Sequence, residues 1–329
     1  GESGRGMEQT GADIQSAGYH FQVHGNQVFS EYSYHVDKSK VNAVGVFLGT
    51  TSDELFQPYR LYNALIYLQR KGVSTKDITV VYIDTGKKDT EYSSAILAKY
   101  TSVLNAFLGN SLQIRMHDSI CLQQMIFVTP QEQVKDIIYQ MDAIYLRKLV
   151  YKGKPVYPIN QRKPNILVNY RKVAPKWQSI DQVRHFFKDV HKAEVRTKYV
   201  TFGEMEGNAI VEVLKDTDIL VTTYGEDSVF LLFMVPYSVL VEVQSDYFHD
   251  VTTSVMAYAC DIYPIILRDV YSSIPVECTM RDNVVESEKE PCRSLLLARD
   301  IVFDVKSMTQ AMYQSQYYLN NYKMKPVSY

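Results

Sequence analysis

Four cysteines are spread over 329 residues, and no two of them form a CxxC pair. That spacing speaks against a structural zinc site or a dithiol redox centre. The seven histidines are equally scattered, with none at metal-ligand spacing. No GxGxxG, no GxxxxGK[ST] and no GxSxG occurs, which weighs against dinucleotide oxidoreductases, P-loop NTPases and α/β-hydrolases. A net charge of −2 offers no bulk basic face, so a nucleic-acid partner is not expected. No apolar run approaches the length of about 18 residues that a membrane span requires. The start, GESGRGMEQTGADIQS, lacks the apolar centre of a signal peptide and reads as a vector scar or the stub of a stem. Met7 could be the native start, and membrane attachment would need an anchor upstream. There is no N-x-S/T acceptor for N-glycosylation, a point against a heavily glycosylated lumenal protein.

What is present is alternation. Hydrophobic residues make up 46% and charged residues 22% of the chain, the balance of a globular protein with a full core. From residue 43, AVGVFLGT, ITVVYID, SLQIRM and ICLQQMIFV read as short buried strands. Helical spacing falls between them, at YRLYNALIYLQRKG and SSAILAKYTSVLNAFLG, and EQVKDIIYQMDAIYLRKLVYKG follows the last. Residues 152–164, KGKPVYPINQRKP, hold three prolines among basic residues and read as an interdomain linker. A second alternation begins at NILVNYRK and continues through EVRTKYVTF, DILVTT, VLVEVQ and YPIIL, each followed by a helical stretch. DVKSMTQAMYQSQYYLNNYK closes it, with Asp304 or Ser307 as N-cap.

The expected fold is therefore α/β, with two doubly wound parallel-sheet domains facing a cleft. The expected divisions are an extension over 1–42, an acceptor-side domain over 43–151 and the linker over 152–164. A nucleotide-binding domain over 165–303 and a closing helix and tail over 304–329 complete them.

Candidate chemistry lies at strand ends facing that cleft. Asp53 and Glu54 follow the first strand and could serve as a general base, or could merely cap the next helix. Arg171, with Lys176 close behind, could neutralise a diphosphate, or belong to a solvated basic loop. Thr201 and Phe202 end the next strand, where a nucleotide base could settle against the ring, although a lone aromatic is more often core. Glu242 is a charged residue inside the apolar run VLVEV and needs a partner if buried. Cys278 and Cys292 flank a charged stretch that a disulfide could close in an oxidising compartment, with two free thiols as the alternative.

The segment DILVTTYGEDSVFLLFMVPYSVLVEV runs strand, glycine turn, short apolar helix, strand with glutamate. In that layout it resembles glycosyltransferase family 61. That family takes in the EGF-domain O-linked N-acetylglucosamine transferase, the protein O-mannose β-1,4-N-acetylglucosaminyltransferase and plant xylan transferases. The shared positions are Asp218, Gly225, LLFM, Pro236 and Glu242, and the resemblance extends in outline over 43–323. It implies a GT-B fold, a nucleotide sugar (UDP-linked by expectation) on the second half, inversion at the anomeric carbon, no metal cofactor and a secretory-pathway location. A glycan or protein hydroxyl would be the acceptor, with Asp53 or Glu54 as base. Arg171, Lys176, Thr201, Phe202, Tyr224, Gly225, Glu226, Asp227, Ser228 and Glu242 would surround the donor. The alternatives are a GT-B scaffold without activity and a cytoplasmic location.

The chain departs from that family at the turn. Tyr224 replaces the histidine of His-Gly-Ala-Gly-Leu, and Glu226-Asp227 replaces its Ala-Gly. Two carboxylates there compete with phosphate for backbone N–H groups. Each like-charge contact costs on the order of 4 kcal/mol at about 4 Å and an effective dielectric of about 20. The family's asparagine–histidine pair in the first helix is also missing from TSDELFQPYRLY.

Overall fold

The computed structural model describes residues 163–190, 196–269 and 291–321, the strands named below, and the positions 99, 102, 103, 143, 144, 147, 148, 151, 275 and 278. An antiparallel pair, β1 (Asp13–Ser16) and β2 (Tyr19–Gln22), precedes the first sheet. That sheet holds β3 (Asn42–Phe47), β4 (Ile78–Asp84), β5 (Asn110–Arg115) and β6 (Gln124–Val128) in the order β5-β4-β3-β6. Every pairing in it is parallel. Lys99, Ser102 and Val103 are helical, as are Ala143, Ile144, Arg147, Lys148 and Tyr151, in keeping with helices expected around them.

The second sheet holds β7 (Asn165–Asn169), β8 (Arg196–Val200), β9 (Ile219–Thr223), β10 (Val239–Gln244) and β11 (Tyr263–Arg268). Its order is β11-β10-β9-β7-β8, all parallel. β9 and β10 are buried at every position, the pattern of central strands covered on both faces. Ile219, Val221, Val239, Val241 and Val243 point to one face. There they meet Val183 of α1 (Ile180–His185), Phe186 and Phe187 of the π turn after it, and Met308, Ala311, Met312 and Leu319 of α5 (Val305–Asn321). Strand periodicity sends Leu220, Thr222, Leu240, Glu242 and Gln244 to the other face. That face is covered by α2 (Gly207–Lys215), the 3-10 segment Glu226–Phe233 and α3 (Thr252–Ala259).

Local sequence explains these boundaries. Ser179 caps α1 by accepting from the Gln182 N–H. In α2, Ile210, Val211 and Leu214 supply one buried stripe. Asp304 accepts from the Ser307 N–H at 2.8 Å and so caps α5, which resolves the expected alternative in favour of Asp304. A short helix not expected from sequence, α4 (Cys292–Leu297), follows the small hairpin β12 (Met280–Arg281) and β13 (Val284–Val285). Cys278 and Cys292 form a disulfide with 4.7 Å between their Cα atoms.

Among the described residues, side chains of the first half donate hydrogen bonds into the second at three points. Lys99 Nζ donates to the Met205 carbonyl, and Tyr151 Oη to the Phe233 carbonyl. Arg147, wholly buried, donates through NH2 to the Cys260 carbonyl at the end of α3, where a cation suits the helix dipole. Gly207 marks a close approach, since a Cβ there would lie 2.5 Å from the Lys99 carbonyl oxygen.

Candidate functional site: the carboxyl end of the second sheet

In the order β8-β7-β9-β10-β11 the chain reverses its direction of winding between β7 and β9. Open parallel sheets receive ligands at such a switch point, beyond the carboxyl ends of the strands. Three strand ends are knitted together there by Asn169. Its Oδ1 accepts from the Phe202 N–H at 3.0 Å, and its Nδ2 donates to Thr222 Oγ1 at 3.1 Å and Asp227 Oδ2 at 2.6 Å.

Arg171, two residues past β7, crosses the switch point and is 4% exposed. Its NH1 donates to the Tyr224 carbonyl at 2.7 Å, its NH2 pairs with Glu226, and its Nε stands 3.3 Å from Asp227 Oδ1. The guanidinium lies so close over the turn that a Cβ on Gly225 would be 1.7 Å from NH1. Glycine is needed at 225 for this approach of side chain to backbone. The charge is held by two carboxylates, as a buried guanidinium requires.

A second polar network lies on the sheet face covered by the 3-10 segment Glu226–Phe233, behind the turn, and centres on Glu242, which has no exposure. It accepts from Ser228 Oγ at 3.1 Å and Gln244 Nε2 at 2.8 Å, and is hydrogen-bonded by Thr253. Burial pushes its carboxyl up to about 7 against the pull of those three donors. Gln244 Nε2 also donates to the Asp250 carbonyl at 2.9 Å, and Arg268 donates to Gln244 Oε1 and the Phe248 carbonyl. Burial lowers the Arg268 guanidinium from its ordinary value. Tyr224 Oη donates to Asp250 Oδ2 at 2.8 Å, while its ring meets Phe248 edge-on at 4.8 Å. Burial first, and then the Asp250 carboxylate, holds this phenol well above its usual range. Arg293 of α4 stands 3.8 Å from Asp250 Oδ2 with its guanidinium over the Phe248 ring.

Several candidate residues converge here and others do not. Arg171, Tyr224, Gly225, Glu226 and Asp227 form one contact set at the switch point, and Ser228 and Glu242 form the next. Arg171 is not a solvated basic residue; its partners are the turn's own carboxylates. Phe202 offers no exposed ring for a nucleotide base, because it is wholly buried and packs edge-on to Phe230 at 5.7 Å. Tyr224 points its side chain away from the crevice toward Asp250. The Lys176 backbone carbonyl accepts from the Ile301 N–H, which ties this stretch to the segment leading into α5. Thr201, one residue past β8, is 5% exposed, and its Oγ1 has no hydrogen-bond partner. Asp53 and Glu54 lie outside the described residues.

Sequence reasoning gave Asn169 no role beyond standing, with Arg171, at the position of the family's strand-ending arginine, and it overlooked Asp250, Gln244 and Arg293. An amide at the end of an apolar strand, as at Asn169, is a usable signal. Asp250 and Arg293 act through partners distant in the chain and gave none, and Gln244 bonds to Glu242 only two positions away without a signal of its own. No protein-family model matches the chain and no curated protein is similar to it, so the functional reading rests on this geometry and on the residues that carry it.

Proposed function

We propose that the protein is a glycosyltransferase of GT-B type, with the phosphates of a nucleotide-diphosphate sugar received at the β7–β9 switch point by Arg171. The observation that carries this reading is a deeply buried guanidinium lying where parallel sheets of this winding bind ligands. The sequence layout from Asp218 to Glu242 supports it by its resemblance to family 61. In this reading Glu54 or Asp53 takes the proton of an acceptor hydroxyl on a glycan or protein. The freed oxygen attacks the anomeric carbon as the bond to the diphosphate breaks, and configuration inverts. The nucleotide diphosphate leaves with the electron pair, its charge offset by Arg171. No metal cofactor is proposed. The Cys278–Cys292 disulfide supports an oxidising compartment such as the secretory lumen.

Thermal shift and titration calorimetry with UDP, GDP and their sugars test the donor. A ligand at 100 times its dissociation constant adds about 2.7 kcal/mol of stability. Binding that is lost in Arg171→Lys supports the assignment, and no response to any nucleotide removes it. Loss of transfer in folded Glu54→Gln or Asp53→Asn identifies the base; full activity in both excludes them.

A second reading is favoured by one specific observation. Glu226 and Asp227 already form ion pairs with Arg171, as expected of a GT-B frame retained as a binding scaffold after loss of its donor. Silence toward every nucleotide sugar, in a protein that remains folded, would select this reading.

A further inference from the structure

The two carboxylates on Arg171 are not equivalent. Asp227 has no side-chain exposure and is tied to Asn169 Nδ2 at 2.6 Å, within the knot that joins the three strand ends. Glu226 has 16% of its side chain exposed and meets the outer nitrogen, NH2. One carboxylate therefore belongs to the frame and balances the guanidinium by itself. The other is the less enclosed of the two and stands on the solvent side. Thr201, one residue past the end of β8 where that strand pairs with β7, supplies a buried hydroxyl whose Oγ1 has no partner, as a built site for an oxygen-rich ligand would leave it. At the rim, Lys172 is paired with Glu204, both largely exposed, so this second cation is also held by a displaceable carboxylate.

We propose that the Arg171 corner is a phosphate receptor occupied by its own removable anion, the Glu226 carboxylate, which a pyrophosphate group displaces on binding. This deepens the donor-site reading given above and rests on it. Glu226 swings into solvent, a phosphate oxygen takes its place on NH2, and Thr201 Oγ1 donates to a second oxygen. Asp227 stays with Asn169 and keeps the guanidinium fork oriented. No covalent bond changes. Because two anions contend for one cation, the affinity of the native chain for phosphate is set by how readily Glu226 leaves.

The test is calorimetry of the full chain with inorganic pyrophosphate and with UDP, comparing wild type, Glu226→Gln, and Glu226→Gln combined with Arg171→Lys. Circular dichroism confirms that each variant is folded. Glu226→Gln is expected to bind pyrophosphate about 10- to 100-fold more tightly, the worth of one charge-assisted hydrogen bond. The added Arg171→Lys change should abolish that gain, because a lysine cannot reproduce the fork. Equal affinity in wild type and Glu226→Gln overturns the proposal, as does a gain that survives Arg171→Lys. Thr201→Val in the Glu226→Gln background should weaken pyrophosphate binding; no change overturns the role of that hydroxyl. The outcomes separate this inference from the transferase reading. An Arg171-dependent gain in pyrophosphate affinity without any sugar transfer keeps the receptor and removes the enzyme. Transfer by wild type with KM unaltered in Glu226→Gln keeps the enzyme and removes the displaced carboxylate.

Discussion

Glu242 is an acid whose surroundings favour its neutral form. Its folded value of about 7 exceeds the 4.5 of an exposed glutamic acid, so the unfolded chain gives up this proton first as pH rises. The associated stability is complete below about 4.5 and declines until about 7, then stays level. The span corresponds to something on the order of 3 kcal/mol. Glu242→Gln reproduces the protonated acid, with its amide able to donate to Ser228 and its oxygen able to accept from Gln244. Urea melts should show this variant matching wild type near pH 4.5 and exceeding it by up to that amount at pH 8. Gly225→Ala should act in the opposite sense, because its methyl group would overlap the Arg171 guanidinium. A loss of about 1–3 kcal/mol is expected on the same assay, and retention of full stability would mean that Arg171 can leave the turn at little cost. Glu242 was legible in the sequence because a charge inside VLVEV breaks an apolar pattern. The pairing of Arg171 with Glu226 and Asp227 was not, since both sides are ordinary surface residues in composition and more than fifty positions separate them. What decides their roles is the strand order, which brings β7 beside β9.

Elements were read well where one local rule governs them. The β-branched runs ILV in β7 and β9 and VLVEV in β10 mark strands that lie inside a parallel sheet. Asp304 marks the start of α5, and replacing it with Ala should cost about 1 kcal/mol in chemical denaturation. Its carboxyl is held below the ordinary range chiefly by the Ser307 side chain. That contribution is present above the unfolded value and fades as pH falls through the folded one. The helix α4 was missed because CRSLLL sits at the end of a charged stretch and is fixed by links outside its own sequence. One link is the disulfide to Cys278, and another is the bond from Ser245 Oγ to the Leu296 carbonyl at 2.7 Å. A crosslink spanning 14 positions is worth about 3 kcal/mol in the chain-entropy account. Reduction should lower stability by that order in a denaturant titration. It should also loosen Arg293, the neighbour of Cys292, from Asp250.

At the scale of the whole molecule, two parallel sheets emerge as the alternation of strands and helices indicated, while the contacts between their halves could not be anticipated. Hydrophobic periodicity tells which face of a helix is buried and not which neighbour buries it. Arg147 would have been assigned to solvent on composition alone, yet it is enclosed and donates to the Cys260 carbonyl. Arg147→Met and Gly207→Ala should both weaken the attachment of the halves. Differential scanning calorimetry should then resolve two transitions where wild type gives one; a single transition in both variants would mean that other contacts carry the attachment. The three joints share one trait, which is that every acceptor is a main-chain oxygen, at Met205, Phe233 and Cys260. A peptide carbonyl is the same whatever residue bears it. Cys260→Ala would therefore leave its joint intact, while Arg147, Tyr151 and Lys99 have no such licence to vary. Evolutionary drift across this seam should fall unequally, with the receiving side free to change its lettering and the donating side held to it.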